Sequence, residues 1–188
     1  GAEPDQVVPL AGDVGDPEQI DALVGHCLET LGRVDALVNN AGAAPLVPID
    51  QTGLGLLRET FAVNAYGPML LVAKLWSTFL EQGGARVVNV SSTASVDPFP
   101  GFLAYGSAKA ALEGLTRSII NERGQAKIRA FTVAPGAVET GMLRALFSED
   151  QLPPEAALAP ETVAEVIVDC VLGRRDDEDG ARIALSAG

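Results

Sequence analysis

The sequence has few basic residues and a single histidine, and these shortages exclude several classes of protein. Its 13 lysines and arginines stand against 25 aspartates and glutamates, which gives a formal net charge of -12 at pH 7. Such a surface repels nucleic acid and anionic membranes, so we expect neither as a partner. The one histidine, His26, has no companion at metal-ligand spacing, so no metal site is predicted and His26 is expected at the surface.

Cysteine and long apolar runs are also scarce. Cys27 and Cys170 lie on the apolar faces of predicted helices, where they resemble core residues of a reducing compartment rather than a disulfide. No apolar run reaches the length of about 18 residues that a membrane-spanning helix needs. Residues 1–6 have neither the basic start nor the apolar stretch of a signal peptide. These features predict a cytoplasmic protein.

Hydrophobic residues make up 47% of the 188 residues, enough to bury the core of one domain. Short apolar runs with strand character alternate with segments of helical periodicity. The predicted strands cover residues 6–11, 34–38, 85–90 and 128–133, with 182–185 as a possible last strand. Continuous apolar strands are typical of parallel sheets that helices cover on both faces. The sequence therefore predicts a single α/β domain over residues 1–188, with a doubly wound parallel sheet of Rossmann-like type.

Start and stop signals define the helices between these strands. Asp16 followed by Pro17 is typical of a helix start, with Gln19 at the capping-box position, and Gly32 ends that helix. The other predicted helices lie over about 54–82, over the segment that contains Tyr105, and from Pro160 to Gly173. The acidic run 176–179 is interpreted as a solvated loop.

Small and polar residues gather at the ends of four predicted strands. Ligands of open parallel sheets bind beside the carboxyl ends of the strands, which share one edge of the sheet. The residues at these ends are Gly12, Asp13 and Val14, then Asn39 to Gly42, then Ser91 and Ser92, and finally Pro135 and Gly136. Strand ends also need turns, but four such ends together predict a binding site.

Tyr105 and Lys109 stand four residues apart at the start of a predicted helix. Positions i and i+4 lie on the same face of a helix, one turn apart. An ammonium group beside a phenol favours the phenolate and lowers the pKa of the tyrosine from its usual value of about 10. A tyrosine with a lowered pKa can donate or accept a proton near neutral pH, so the pair predicts general acid–base chemistry.

A break is predicted at Gly67 and Pro68, inside the long helix over about 54–82. Proline has no N–H, so Pro68 cannot bond the carbonyl of Asn64, four residues earlier. That carbonyl needs another partner, most simply a water molecule.

Together these motifs resemble the signature of the classical short-chain dehydrogenase/reductase family. The matching residues, in the family's order, are Asn39-Asn40-Ala41-Gly42, Asn64, Ser92, Tyr105, Lys109 and Pro135-Gly136. Ser92 lies 13 residues before Tyr105, which is the family's usual interval. The resemblance implies an enzyme that interconverts an alcohol and a ketone or aldehyde by hydride transfer with NAD or NADP, acting on a small-molecule substrate.

The resemblance also implies roles for individual residues. Tyr105 would be the acid and base, Lys109 would lower its pKa and bind the nicotinamide ribose, and Ser92 would bind the substrate oxygen. Asn64 would hold a water that links Lys109 to solvent. Cofactor contacts are implied for Asp13, Val14, Asn40, Ala41, Gly42, Tyr105, Lys109, Pro135, Gly136, Val138 and Thr140. Ser91 remains the alternative to Ser92, because alternation along a strand lets only one of them face the cleft.

One part of the family pattern has no counterpart in this sequence. The family begins with a strand, a glycine-rich turn, a helix and a second strand, which hold the pyrophosphate and adenosine ribose of the cofactor. We therefore expect the 188 residues to be part of a longer protein, and on their own to bind NAD(P) weakly or not at all. The alternatives are a non-catalytic remnant or dinucleotide-sensing module, and a lyase or epimerase of the same fold. The choice between NAD and NADP stays open.

Two further expectations concern the substrate and the assembly. Five apolar residues near the predicted site could form the wall of an apolar substrate pocket, or they could simply pack in the core. They are Phe99, Phe102, Met142, Leu146 and Phe147. The long helix over 54–82 is apolar around more than one face, and members of the family pair two helices across a two-fold axis. We therefore expect a homodimer or homotetramer, with Leu75 and Trp76 as candidates to face the partner.

Overall fold

Four parallel strands form one sheet in the order β1-β2-β3-β4, at Ala36–Asn39 (β1), Gly84–Val90 (β2), Lys127–Pro135 (β3) and Arg182–Leu185 (β4). The computed structural model describes residues 7–187 of the chain. Asn39, Asn89 and Thr132 are adjacent across the first three strands. The carboxyl ends of the strands therefore lie at one edge, as the sequence predicts.

Among residues 7–187, six α-helices accompany the sheet: Pro17–Leu31 (α1), Leu54–Phe61 (α2), Gly67–Glu81 (α3), Leu103–Glu122 (α4), Gly141–Leu146 (α5) and Pro160–Val171 (α6). Asp16 caps α1 by accepting a hydrogen bond from the N–H of Glu18 at 3.0 Å. Gly32 ends α1 with a φ of 71°, a conformation that favours glycine. None of these helices is long and apolar enough to cross a bilayer.

Helices cover both faces of the sheet, so the hydrophobic core has two parts. Val87 belongs to the part that α3 and α4 cover, and its neighbour Val88 belongs to the part that α6 covers. Successive side chains of a strand point to opposite faces, which explains the division. Cys170 is buried in the second part, Cys27 is half-buried, and both are free thiols. The predicted α/β class with a doubly wound parallel sheet is confirmed.

The strand predicted at 6–11 is wrong over residues 7–11, which have no regular secondary structure. Gln6 lies outside the described residues, as do the other residues of the stretch 1–6 that bears on a signal peptide. A strand needs a neighbour that takes up its backbone hydrogen bonds. Within residues 7–187, β1 is an edge strand that pairs only with β2. Segment 7–11 does not pair with it, and Val7 and Val8 are consequently exposed.

The interpretation of 176–179 as a solvated loop is also wrong. Asp176–Glu178 forms a short 3₁₀ turn, and the side chain of Asp179 is only 8% exposed. Asp179 accepts hydrogen bonds from Arg129 at 2.9 Å and from the N–H of Ala130 at 3.0 Å, and it also pairs with Arg123. The acidic run is therefore bound to the sheet by ion pairs, because arginines of β2, β3 and the segment after α4 lie beside it.

Candidate active site

A cavity of about 460 Å³ lies at the carboxyl ends of the strands. The second, third and fourth of the predicted strand-end motifs contribute residues to its wall, and the first does not. The predicted site residues that line it are Asn40, Gly42, Ser92, Tyr105, Lys109, Pro135, Gly136, Val138 and Thr140. The structure thus brings most of the candidate residues together around one space.

Asn64 is buried behind this cavity by a local change in helical geometry. The break expected at Pro68 is a π-helical turn, Ala62–Tyr66, in which the N–H of Gly67 bonds the carbonyl of Ala62. The side-chain amide of Asn64 donates to the carbonyls of Ala43 and Thr60, both at 2.8 Å. Asn64 therefore holds the segment that follows β1 in place, and its amide does not point freely into the cavity.

Gly42 separates Asn64 from Lys109. A Cβ added at position 42 would lie 2.9 Å from Oδ1 of Asn64 and 3.4 Å from Nζ of Lys109. The first distance is too short for a real contact, so a side chain at position 42 would force Asn64 to shift, whereas the second is an ordinary contact. The glycine that ends the motif after β1 thus permits the backbone to lie close to the buried side chain of Asn64.

Lys109 lies one turn after Tyr105 on α4, with its ammonium nitrogen 5.7 Å from the centroid of the tyrosine ring. It is buried and donates a hydrogen bond to the carbonyl of Val90 at 2.8 Å. Burial lowers the pKa of Lys109 to about 8, because the charged form loses its hydration.

The expected lowering of the Tyr105 pKa by Lys109 is wrong for this structure. Burial raises the pKa of Tyr105, and the neighbouring Ser92 hydroxyl has a smaller, opposite effect. Spacing along a helix predicts which groups are neighbours, but it carries no information about how deeply they are buried. Lys109 is not among the groups that shift this pKa, so the loss of hydration decides its direction.

Ser91 and Ser92 have different surroundings, although both contribute to the cavity wall. The hydroxyl of Ser91 donates to Glu113 at 2.8 Å. The hydroxyl of Ser92 accepts from the N–H of Ala94 at 3.1 Å and lies close enough to Tyr105 to affect its pKa. Of the two serines, Ser92 therefore has its hydroxyl beside the tyrosine.

A charge cluster around the buried Glu113, which sequence reasoning missed, supports the turn that carries Ser92. Glu113 accepts hydrogen bonds from Ser95 at 2.5 Å and from Nε of Arg182 at 3.0 Å, besides that of Ser91. Arg182 also donates to the backbone carbonyl of Ser92 at 3.3 Å. The available signal was the position of Glu113, one turn beyond Lys109 on the same face of α4.

The residues after β3 form the opposite wall. The N–H of Gly136 bonds Leu185 of β4 at 2.8 Å, which fixes the chain where it leaves the sheet. The hydroxyl of Thr140 caps α5, since it accepts from the N–H of Leu143 at 3.3 Å and donates to the carbonyl of Val138 at 3.2 Å. Thr140 is thereby engaged with the protein's own backbone.

Three predicted cofactor residues do not line the cavity: Asp13, Val14 and Ala41. The carboxylate of Asp13 accepts a hydrogen bond from the N–H of Gly15 at 2.7 Å in a local turn. The carbonyl of Val14 packs against Gly67, where an added Cβ would lie only 2.1 Å from it. Asp13 and Val14 therefore lie beside the π-helical turn, away from Tyr105.

Both the sequence and the structure of this chain resemble those of known proteins. A family model described as short chain dehydrogenase matches residues 1–151. An uncharacterized oxidoreductase of Thermotoga maritima is 41% identical over 147 residues, which are 78% of this chain and 57% of the relative. Carbonyl reductase (NADPH) 2 of Sus scrofa is 31% identical over 97% of this chain and 77% of its own length. The chain thus spans little more than half the length of the Thermotoga relative.

Solved structures of reductases also resemble this chain. The 3-ketoacyl-(acyl-carrier-protein) reductase from Brucella melitensis, complexed with NADH, superposes with a TM-score of 0.87 at 26% sequence identity. The superposition covers 95% of this chain and 76% of that protein. The arrangement of strands and helices around the cavity is therefore shared with a reductase of known structure.

Proposed function

Because this chain belongs to the short-chain dehydrogenase/reductase family, we propose that it acts as an NAD(P)-dependent oxidoreductase that interconverts an alcohol and a ketone or aldehyde. The observation that carries the proposal is the convergence of Tyr105, Ser92 and Lys109 on one wall of the cavity. The bound nicotinamide would supply the hydride, so that a ketone, NAD(P)H and a proton give an alcohol and NAD(P)⁺. The proposal includes a cytoplasmic homodimer or homotetramer that acts on a small molecule.

The groups around the cavity fit a nicotinamide nucleotide. Lys109 has three N–H donors, and in the described part of the chain its hydrogen-bond partner is the carbonyl of Val90 alone. Donors therefore remain for the hydroxyls of a ribose. The N–H of Val138 has no acceptor within residues 7–187 and lies in the wall of the same cavity. NADH in the neighbouring structure and NADPH in the name of the Sus scrofa relative support this class of cofactor without deciding between the two.

In the proposed reaction, Tyr105 donates a proton to the carbonyl oxygen. The phenol is protonated at neutral pH, as a proton donor must be, although burial raises its pKa and so makes it a weaker acid than an exposed tyrosine. Ser92 donates a hydrogen bond to the same oxygen and so holds it beside the phenol. Lys109, with a pKa of about 8, is mainly an ammonium ion at neutral pH, and its charge stabilises the phenolate that proton transfer leaves.

Asn64 takes part indirectly in this scheme. Its side-chain amide is engaged with Ala43 and Thr60. The residue four positions after Asn64 is Pro68, which has no N–H that could donate to the backbone carbonyl of Asn64. We assign to this carbonyl the water molecule through which Lys109 exchanges protons with solvent.

Nucleotide titration and a reduction assay test the proposal on protein that contains this chain. Fluorescence of NADH and NADPH reports binding, and the loss of nicotinamide absorbance on addition of a ketone or aldehyde reports turnover. Carbonyl-dependent oxidation of either nucleotide supports the proposal. Binding without turnover of any carbonyl compound would favour a dinucleotide-sensing module. The mass of the intact protein, compared with 19.4 kDa for this chain, shows whether further residues are present.

A further inference from the structure

A row of four aromatic rings leads from Tyr105 to the mouth of the cavity. The ring centroids of Tyr105 and Phe102 are 5.2 Å apart, those of Phe102 and Phe99 are 6.3 Å apart, and those of Phe99 and Phe147 are 6.1 Å apart. All four side chains line the cavity, and Phe99 is 59% exposed. Large apolar side chains gathered at the open end of a cavity are typical of a surface that a ligand covers.

The segment that carries Phe147 is fixed by Arg144. The guanidinium group of Arg144 donates to Glu139 at 2.6 Å and to the carbonyl of Leu152 at 2.8 Å, and it contacts the carbonyl of Phe147 at 3.5 Å. These bonds join the start of α5 to the chain that follows it. Phe147 is thereby held beside Phe99, and the charge of Arg144 is engaged outside the cavity.

Within residues 7–187, the part of the cavity wall near these rings carries no cation that is free to bind a ligand. Among the described residues that line it, the charged side chains are Lys109 and Asp97. Lys109 lies at the buried end, beside Tyr105. Asp97 is exposed and lies two residues before Phe99. An anionic group that extended from the reacting carbonyl towards the rings would share the cavity with this carboxylate, and like charges disfavour binding.

We propose that the substrate carries an uncharged aryl group, or a similarly flat apolar group, that packs against Phe99, Phe102 and Phe147 while its carbonyl oxygen meets Tyr105. The proposal rests on the proposed function and adds the class of substrate. A carboxylate in the place of the ring is disfavoured, because the cavity wall carries the carboxylate of Asp97, and the one cation among its described residues, Lys109, lies at the buried end beside Tyr105.

Three methyl ketones with the same reacting carbonyl test this proposal. Benzylacetone carries a phenyl ring, levulinate carries a carboxylate, and butanone carries neither. We expect kcat/KM for benzylacetone to exceed that for levulinate by about 100-fold. Phe99→Ala and Phe147→Ala should each lower kcat/KM for benzylacetone by about 10-fold, with a change of less than about twofold for butanone. Asp97→Asn should raise kcat/KM for levulinate.

Phe61→Ala is the matched control for these variants. Phe61 is half-buried like Phe147 and contacts Tyr66 with a ring separation of 5.8 Å, but it does not line the cavity. This variant should keep the preference for benzylacetone. Phe147→Leu retains an apolar side chain without the ring, so it gives the same test should Phe147→Ala not fold.

The outcomes separate this inference from the proposed function. Levulinate as the better substrate, or equal losses for benzylacetone and butanone in Phe147→Ala, would overturn the inference and leave the oxidoreductase intact. Without turnover of any ketone the proposed function fails, and saturation-transfer NMR then decides the inference. Transfer to the phenyl protons of benzylacetone that Phe147→Ala removes and Phe61→Ala preserves supports an aryl site, whereas no transfer to wild-type protein overturns it.

Discussion

The ammonium nitrogen of Lys109 lies 5.7 Å from the centroid of the Tyr105 ring and donates to the carbonyl of Val90 at 2.8 Å. The charge therefore lies beside the phenol, and within residues 7–187 no carboxylate pairs with it. Burial raises the pKa of Tyr105 and lowers that of Lys109 to about 8. At neutral pH the pair consists mainly of a protonated phenol and a nearby cation, which is the arrangement that a proton donor to a carbonyl requires.

Tyr105→Phe should abolish turnover and leave nucleotide binding nearly intact. The variant removes the proposed proton donor but keeps the ring that packs on Phe102. Steady-state rates should fall by about 100-fold or more, while the dissociation constant for NADH or NADPH changes little. Tyr66→Phe is the control, because Tyr66 is exposed and does not line the cavity. Near-normal rates for Tyr105→Phe would refute its assignment as the acid.

Lys109 should make the stability of the protein depend on pH. Its pKa is about 8 in the folded chain and 10.5 in the reference state. Between these values the unfolded chain binds more protons, so the free energy of unfolding rises with pH. From about pH 7.5 to about pH 9.5, this rise should be about 2 kcal/mol larger for wild type than for Lys109→Met.

Urea denaturation at the two pH values measures this difference. The upper value stays below pH 10 because Tyr105, with its own raised pKa, contributes in the opposite direction above that point. Lys127→Met is the matched control, since Lys127 is exposed at the start of β3. Equal pH dependence in wild type and Lys109→Met would show that the lysine keeps its ordinary pKa.

Local signals in the sequence were sufficient for the long helices and for the strands β1, β2 and β3, but not for the short helix α5. Asp16 and Gly32 define α1 because caps act within one turn, and the apolar run of β2 needs no distant information. The strand at 7–11 could not be judged in this way, since a strand exists only if a neighbour pairs with it. Likewise, the acidic run 176–179 is bound to arginines that precede it by dozens of residues.

The candidate site shows the same division. Tyr105 and Lys109 are one helical turn apart, so their spacing alone placed them side by side. The pair formed by Glu113 and Arg182 spans 69 residues and had no pattern to reveal it. The direction of the Tyr105 pKa was also beyond the sequence, because it depends on burial by the surrounding elements.

Gly42→Ala should impair catalysis more than folding. The added Cβ would lie 2.9 Å from Oδ1 of Asn64 and force that side chain to shift. Displacement of Asn64, which holds the segment after β1 beside Lys109, should lower kcat/KM by about 10-fold or more. Gly55→Ala is the control, because Gly55 lies in α2 with no atom within 4 Å of an added Cβ. That variant should keep full activity and gain about 0.5–1 kcal/mol in the free energy of unfolding. Full activity in Gly42→Ala would contradict this prediction, because it would show that the backbone can shift enough to accommodate the added Cβ.

The expectation that Leu75 faces a partner is wrong, because Leu75 is only 3% exposed and packs in the core beside Val72 and Phe79. Trp76 is partly buried against the same core. The outward surface of α3 and α4 instead carries exposed alanines and leucines: Ala73, Leu80, Leu103 and Ala110. These side chains are the ones available to a second copy of the chain.

We therefore expect a dimer or tetramer in which α3 and α4 of two copies pack across a two-fold axis. Ala110→Arg should dissociate it, because a symmetric contact places two added charges close together at the centre of the interface. Ala22→Arg is the matched control, since Ala22 is an exposed alanine in the middle of α1. Light scattering at micromolar concentration measures the mass of each variant. A monodisperse monomer in the wild type would refute the assembly, and an intact oligomer in Ala110→Arg would move the interface away from α4.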